Sequence, residues 1–69
     1  MSYEILVKLG NRLRKERMAL GLSQEQFAER AGVHRTYVGM IERAEKNITL
    51  TNLEKIADAL GLEPSELLK

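Results

Sequence analysis

The chain has 69 residues with no cysteine and a formal net charge of +1. This length allows one domain with a thin core, because so short a chain buries only about 60% of its unfolded surface, and a partner chain would help to stabilise it. The composition excludes a disulfide framework, a thiolate metal site and a membrane span of roughly 20 apolar residues, and the N-terminus lacks the pattern of a signal peptide. A soluble, cytoplasmic protein is expected.

A first helix is predicted over residues 3–20. Its apolar positions have the spacing of one buried stripe, at Ile5, Leu6, Leu9, Leu13 and Leu20. Gly21 follows the last of them and is typical of a helix end. The opposite side is basic, and we interpret most of it as a solvated face: Lys8, Arg12, Arg14, Lys15 and Arg17.

The stretch Gln24–Arg43 predicts two short helices joined by a turn at Gly32. Ser23 and Gln26 form a capping box, so the second helix runs over residues 24–31. A turn between helices often needs the positive φ that glycine adopts at low cost. The apolar positions indicate one buried face on each helix: Phe27, Ala31, Val33, Val38 and Ile41. This is the pattern of a helix-turn-helix, whose second helix enters the major groove of DNA.

The third helix is predicted from about Arg35 to Arg43, with His34 at or beside its N-cap. The residues that point outward once the apolar face is buried are Arg35, Thr36, Gly39, Met40 and Arg43. A solvated helix face more often carries Glu/Lys pairs four residues apart and avoids a central glycine. We therefore expect this face to contact another molecule. The alternative is a helix pair that only packs within the domain.

The charge is divided unevenly along the chain. Residues 1–47 hold nine Lys and Arg against six Asp and Glu, whereas residues 48–69 hold two against four. The helix-turn-helix half therefore carries a net charge of +3 and the remainder −2, which would orient the molecule on a polyanion. Random scatter of charge on a small domain can produce a similar imbalance, so this signal is weak by itself.

Two further helices are predicted after a polar loop at residues 44–48. The fourth begins at Thr49 or Thr51, of which Thr51 forms the better capping box, and it ends at Gly61. Its buried face has the i, i+3, i+4, i+7 spacing: Leu53, Ile56, Ala57 and Leu60. Pro64 is typical of a first helical position and starts a short fifth helix. The expected fold class is all-α, a five-helix helix-turn-helix DNA-binding domain.

Nothing in the composition favours an enzyme. The chain has no cysteine and one histidine, His34, without a second histidine or spaced carboxylates beside it. Neither a metal site nor a cofactor is therefore expected. A domain of this size also leaves little room for a substrate pocket. His34 is better suited to a helix cap, a turn or a phosphate contact.

From Leu9 to Leu68 the sequence resembles the phage-repressor-like helix-turn-helix domains of the Cro/C1 (XRE) family. The residues that carry the resemblance are LRKERMALGLSQEQFA at 13–28, IER at 41–43 and LEKIADALG at 53–61. The run RTYVGMIER at 35–43, followed by KNITL at 46–50, is further similar to the controller proteins of restriction–modification systems. The resemblance implies a sequence-specific regulator of transcription that binds double-stranded DNA.

The resemblance also implies roles for the matching positions. The residues that face base edges would be Arg35, Thr36, Gly39 and Met40. Those that contact the DNA backbone would be Gln24, Tyr37, Arg43, Lys46 and Asn47, joined by His34 from its position at the helix cap. Arg17 and Glu42 occupy positions where the family often has an internal ion pair, which braces the first helix against the recognition helix.

The chemistry of three side chains supports these roles. Arg35 can make two parallel hydrogen bonds to guanine O6 and N7, worth about 1–3 kcal/mol of discrimination. Thr36 offers a methyl group for thymine and a hydroxyl for a phosphate or base. Gly39 costs roughly 1 kcal/mol relative to alanine in a helix. We hypothesise that it brings the helix backbone close to the DNA, and a tolerated substitution is an equal alternative.

One such domain covers too few base pairs for a specific site, so a homodimer on a palindromic operator is expected. The predicted dimer surface lies in residues 48–69 and consists of Ile48, Leu50, Leu62, Leu67 and Leu68. The alternative is that these residues belong to the monomer core.

Regulation would follow protein concentration, since no small-molecule effector is expected. This suits an autoregulator of the controller type, with RNA polymerase as a further partner if the protein activates transcription. The alternatives are a prophage repressor and an antitoxin, whose main task would be to bind a toxin protein. The genes beside this one would distinguish the three.

Overall fold

Five α-helices make up the fold of residues 2–69, the part of the chain that the computed structural model describes. They are α1 (Tyr3–Ala19), α2 (Gln24–Ala31), α3 (Arg35–Glu42), α4 (Leu50–Leu60) and α5 (Pro64–Leu67). This range contains no strand, and none of its helices is both long enough and apolar enough to cross a bilayer. The predicted all-α, five-helix fold class is confirmed.

All five helices contribute to the core, and α1 contributes its middle, through Leu9 and Leu13. The largest fully buried side chains of the core are Phe27, Leu9, Leu13, Ile41, Ile56, Leu67 and Val38. The predicted stripe on the first helix is wrong at its two ends, because Ile5 is 39% exposed and Leu20, which caps the helix, is 45% exposed. The core covers only the central part of this helix, around Leu9 and Leu13.

The turn between α2 and α3 is built as the sequence predicts. The Gln26 N–H donates to Ser23 Oγ at 3.1 Å, and the Ser23 N–H donates to Gln26 Oε1 at 2.8 Å, so the capping box is complete. Gly32 ends α2 with φ +74°, a left-handed conformation that costs glycine little. This short turn brings α3 back across α2.

A close backbone contact fixes the distance between α1 and the C-terminal end of α3. Gly10 is buried, and a Cβ atom at this position would lie 2.5 Å from the carbonyl oxygen of Ile41 and 2.8 Å from that of Glu42. Both distances are shorter than van der Waals contact, so only glycine lets the end of α3 pack this closely against α1.

The end of α3 turns the chain sharply towards a loop. Arg43 caps the helix, and Ala44 follows with φ +59°, where a side chain costs roughly 1–2 kcal/mol. The Glu45 N–H donates to the Met40 carbonyl at 2.9 Å and closes this turn.

The fourth helix starts at the earlier of its two candidate caps. The Asn52 N–H donates to Thr49 Oγ1 at 3.1 Å, so the preferred cap, Thr51, is wrong. The Asn52 side chain donates through Nδ2 to the hydroxyl oxygen of Tyr37 at 3.1 Å. This bond ties the first turn of α4 to α3.

The last helix folds back onto α1 and α4. As a result, two residues of the predicted dimer surface lie in the monomer core. Arg12 Nη1 donates to the carbonyl of Glu66 at 3.0 Å, and Leu67 is fully buried. Ile48 is 8% exposed. These two residues belong to the monomer core, because α5 and the loop before α4 close over it. Leu50, in contrast, is 79% exposed.

Candidate nucleic-acid interface

An open cleft of about 630 Å³ lies between the first turn of α2 and the outer side of α3. It begins at the N-terminus of α2 and follows α3 over its whole length. Its lining residues are Arg17, Ser23, Gln24, Glu25, Arg35, Thr36, Gly39 and Arg43. Its three guanidinium groups each pair with a carboxylate: Arg17 with Glu42, Arg35 with Glu25 and Arg43 with Glu45. The pairs of Arg35 and Arg43 are more than half exposed, so both cations can exchange their partner for a phosphate or a base, beside the positive end of the α2 dipole. This arrangement suits a polyanion.

A buried ion pair fixes the base of the cleft. Arg17 Nε donates to Glu42 Oε2 at 2.7 Å, and Arg17 Nη2 donates to Glu42 Oε1 at 3.0 Å. The two side chains are only 12% and 4% exposed. The hydrogen bonds to Glu42 raise the pKa of the Arg17 guanidinium against the opposing effect of burial. This two-bond pair holds the end of α3 against α1.

Gln24 joins the same cluster from the first turn of α2. Its Nε2 donates to Glu42 Oε1 at 3.2 Å, which fixes the orientation of the amide. One N–H of the amide is thus committed to the protein, and the second remains available. Gln24 therefore supports the Arg17–Glu42 pair and can also donate to a ligand.

Two exposed residues at the start of α3 face solvent. Arg35 Nη1 lies 3.4 Å from Glu25 Oε2, and these side chains are 65% and 72% exposed. An ion pair this exposed contributes little stability, so Arg35 is free to exchange Glu25 for another acceptor. Thr36 is exposed beside it.

His34 caps α3 through its ring. The Thr36 N–H donates to His34 Nδ1 at 3.1 Å. Because Nδ1 accepts this bond, the proton of the neutral ring lies on Nε2. The predicted cap is confirmed, and Nε2–H is a donor on the exposed side of the residue.

The middle of α3 differs from the outward face that the sequence predicts. Gly39 is buried rather than exposed, because side chains of its neighbours cover it. A Cβ atom there would lie 3.0 Å from Arg43 Nη1 and 3.4 Å from Gln24 Oε1. Met40 is half-buried and lies outside the residues that line the cleft.

Three other predicted backbone contacts also lie beside the cleft rather than in it. Tyr37 is half-buried, and its hydroxyl oxygen accepts from Asn52, so the hydroxyl proton remains available. Lys46 and Asn47 are exposed in the loop between α3 and α4. Glu25 is the lining residue that the sequence interpretation missed, although its position beside Gln24 in the first turn was a usable signal.

The helix-turn-helix family model HTH_3 matches residues 13–67. The chain therefore belongs to this family. It is a DNA-binding regulator of transcription and not an enzyme. Control protein C.BamHI from Bacillus amyloliquefaciens is 41% identical over 69 residues, which cover 99% of this chain and 85% of that protein.

Solved structures agree with the family. The restriction-modification controller protein C.AhdI from Aeromonas hydrophila superposes with a TM-score of 0.87 at 52% identity and covers 94% of both chains. SinR, the master regulator for biofilm formation, was solved in complex with DNA. It superposes with a TM-score of 0.84 at 34% identity, over 88% of this chain and 98% of that one. The predicted resemblance to XRE-type regulators and controller proteins is confirmed.

Proposed function

We propose that the chain is a sequence-specific regulator of the restriction–modification controller type. It acts in the cytoplasm as a homodimer on a palindromic operator and regulates its own gene. The observation that carries this proposal is the arginine-lined cleft between the first turn of α2 and α3, in a chain that is similar to controller proteins over nearly its whole length.

Base reading is assigned to the start of α3. Residues in the N-terminal part of a recognition helix contact base edges in the major groove. Arg35 and Thr36 are exposed at this end of the cleft. The Arg35 guanidinium suits guanine, and the Thr36 methyl group suits thymine.

Phosphate contacts are assigned to donors around the cleft. The second Gln24 N–H lies at the positive end of α2, and His34 Nε2–H lies at the cap of α3. Both suit a phosphate oxygen. Lys46 and Asn47 in the following loop, with the Tyr37 hydroxyl, extend these contacts along the DNA backbone.

The size of the domain supports a dimer. Its longest dimension is 28 Å, whereas half-sites one helical turn apart are separated by about 34–36 Å. A single copy cannot therefore present recognition helices to two half-sites. The dimer surface is assigned to Leu50 and the partly buried Leu62 and Leu68.

A fluorescence anisotropy titration tests the function. The probe is the duplex immediately upstream of the gene for this protein, with a scrambled duplex at the same salt as the control. We expect a preference of about 10³ or more and a binding curve steeper than one-to-one. Tight but indifferent binding, or no binding, would contradict the proposal and favour an antitoxin that needs its toxin.

The variant Arg35→Ala tests the assignment of base reading. Its affinity for the operator is expected to fall about tenfold or more, with little change for the scrambled duplex, because one bidentate base contact is lost. Arg30→Ala is the matched control, since Arg30 is exposed but does not line the cleft. Equal losses on both duplexes for Arg35→Ala would make it a phosphate contact.

A further inference from the structure

At Gly39 the face of α3 that lines the cleft is covered by the side chain of Arg43, the C-cap residue of this helix, rather than formed by bare helix backbone. Arg43 Nη1 lies 3.0 Å from the position that a Cβ atom on Gly39 would take, and the central guanidinium carbon lies 3.8 Å from it. Residues four apart are neighbours on a helix face. The guanidinium of Arg43 is therefore folded back one turn along α3, over Gly39 and towards Thr36.

One exposed ion pair engages the guanidinium at Nε. Arg43 Nε lies 3.1 Å from Glu45 Oε2, and the two side chains are 56% and 52% exposed, so this carboxylate is easily exchanged for another acceptor. Arg43 also lines the cleft, together with Arg35. Two terminal N–H groups in one plane form the donor pair that binds guanine O6 and N7.

We propose that Arg43 is a second base-reading residue and that Gly39 is the seat that holds its guanidinium on the recognition surface. This inference rests on the proposed function. It replaces two assignments implied by the resemblance, a phosphate contact for Arg43 and a direct base contact for Gly39. Gly39 is then a positioning residue that acts through Arg43.

Glycine leaves the guanidinium more room at the seat than any other residue would. An alanine methyl group would lie 3.0 Å from Arg43 Nη1, so this terminal nitrogen would have to move by a few tenths of an ångström. The atom that must move is the far end of a flexible side chain, so the helix itself is not disturbed. Gly39→Ala is therefore expected to fold normally while it displaces the guanidinium.

A double-mutant cycle tests the coupling on the operator and scrambled duplexes. The proteins are the native chain, Gly39→Ala, Arg43→Ala and the double variant, with Arg30→Ala as the control for loss of one exposed charge. Each single variant is expected to lose about tenfold or more in operator affinity, with scrambled DNA little affected. The double variant is expected to bind no more weakly than Arg43→Ala, because Gly39 acts through Arg43.

Two results of the cycle would overturn the proposal. If Arg43→Ala weakens both duplexes equally and lowers the salt slope by about 1, Arg43 is a phosphate contact. If the losses of the single variants multiply in the double variant, Gly39 contacts the DNA directly. Arg43→Lys keeps the charge but not the planar fork, so native operator affinity in this variant would also contradict base reading.

A measurement without DNA separates this inference from the proposed function. Nuclear Overhauser effects between Gly39 Hα and the Arg43 side chain are expected in the free native protein. Their absence would refute the packing of Arg43 over Gly39, even if the protein discriminates the operator. A native chain that shows these effects but does not prefer the operator would refute the proposed function and base reading by Arg43 together.

Discussion

Removing the charge of Glu42 is expected to destabilise the whole domain. In Glu42→Gln the Arg17 guanidinium, only 12% exposed, loses the carboxylate that now accepts from it at 2.7 and 3.0 Å. The pair is partly buried, and the amide oxygen of the new glutamine can still accept one bond, so the expected loss is about 1.5–3 kcal/mol, that of a hydrogen bond to a charged group. This is a substantial part of the roughly 5–15 kcal/mol that stabilises a typical domain. Urea unfolding followed by far-UV circular dichroism measures the free energy of unfolding.

Glu16→Gln is the matched control. Glu16 also accepts from an arginine at 3.0 Å, but the Arg12–Glu16 pair lies within α1 and both side chains are 28% exposed. Solvent screens this pair, so the expected loss is about 0.3–0.5 kcal/mol. Both variants are compared at one protomer concentration, because the proposed dimer would make stability depend on concentration.

Equal losses for Glu42→Gln and Glu16→Gln would refute the reasoning from burial. A second variant separates loss of the pair from the cost of an unpaired cation. Arg17→Met combined with Glu42→Leu is expected to recover part of the lost stability, since apolar residues can replace a buried pair.

Three further predictions concern packing, capping and assembly. Gly10→Ala is expected to cost about 1–3 kcal/mol in thermal or urea unfolding, because its methyl group meets rigid backbone oxygens at the end of α3. A native stability would refute that contact. Thr49→Ala is expected to lower the free energy of unfolding by about 1 kcal/mol, and Thr51→Ala by less. A larger loss for Thr51→Ala would indicate that Thr51 is the N-cap. Leu50→Glu is expected to raise the dimer dissociation constant in sedimentation equilibrium, whereas Leu20→Glu is not, and equal effects would place the dimer surface elsewhere.

Much of the fold was predictable because its signals act over a few residues. Ser23 and Gln26 cap the same turn, and Gly32 and Gly61 end helices with positive φ, as predicted. The apolar spacing in α2 and α3 follows from 3.6 residues per turn, so Phe27 is buried as expected. The His34 cap likewise depends on a neighbour two residues away.

The predictions failed where two local solutions were nearly equal or where distant segments meet. Thr49 and Thr51 both suit an N-cap, and in the folded chain the Asn52 N–H donates to the earlier one. Ile48 and Leu67 are as apolar as exposed Leu50, but the chain folds over the first two.

The sequence by itself therefore determined the helices, the caps at Ser23 and His34, and the family, because these depend on residue type and spacing along the chain. Only the tertiary structure decided which apolar residues remain outside and where charged side chains lie. Gly39 was predicted on the outer face of its helix, yet the folded Arg43 side chain covers it. The path of a long side chain depends on the space that its neighbours leave, and that space exists only once the helices have packed.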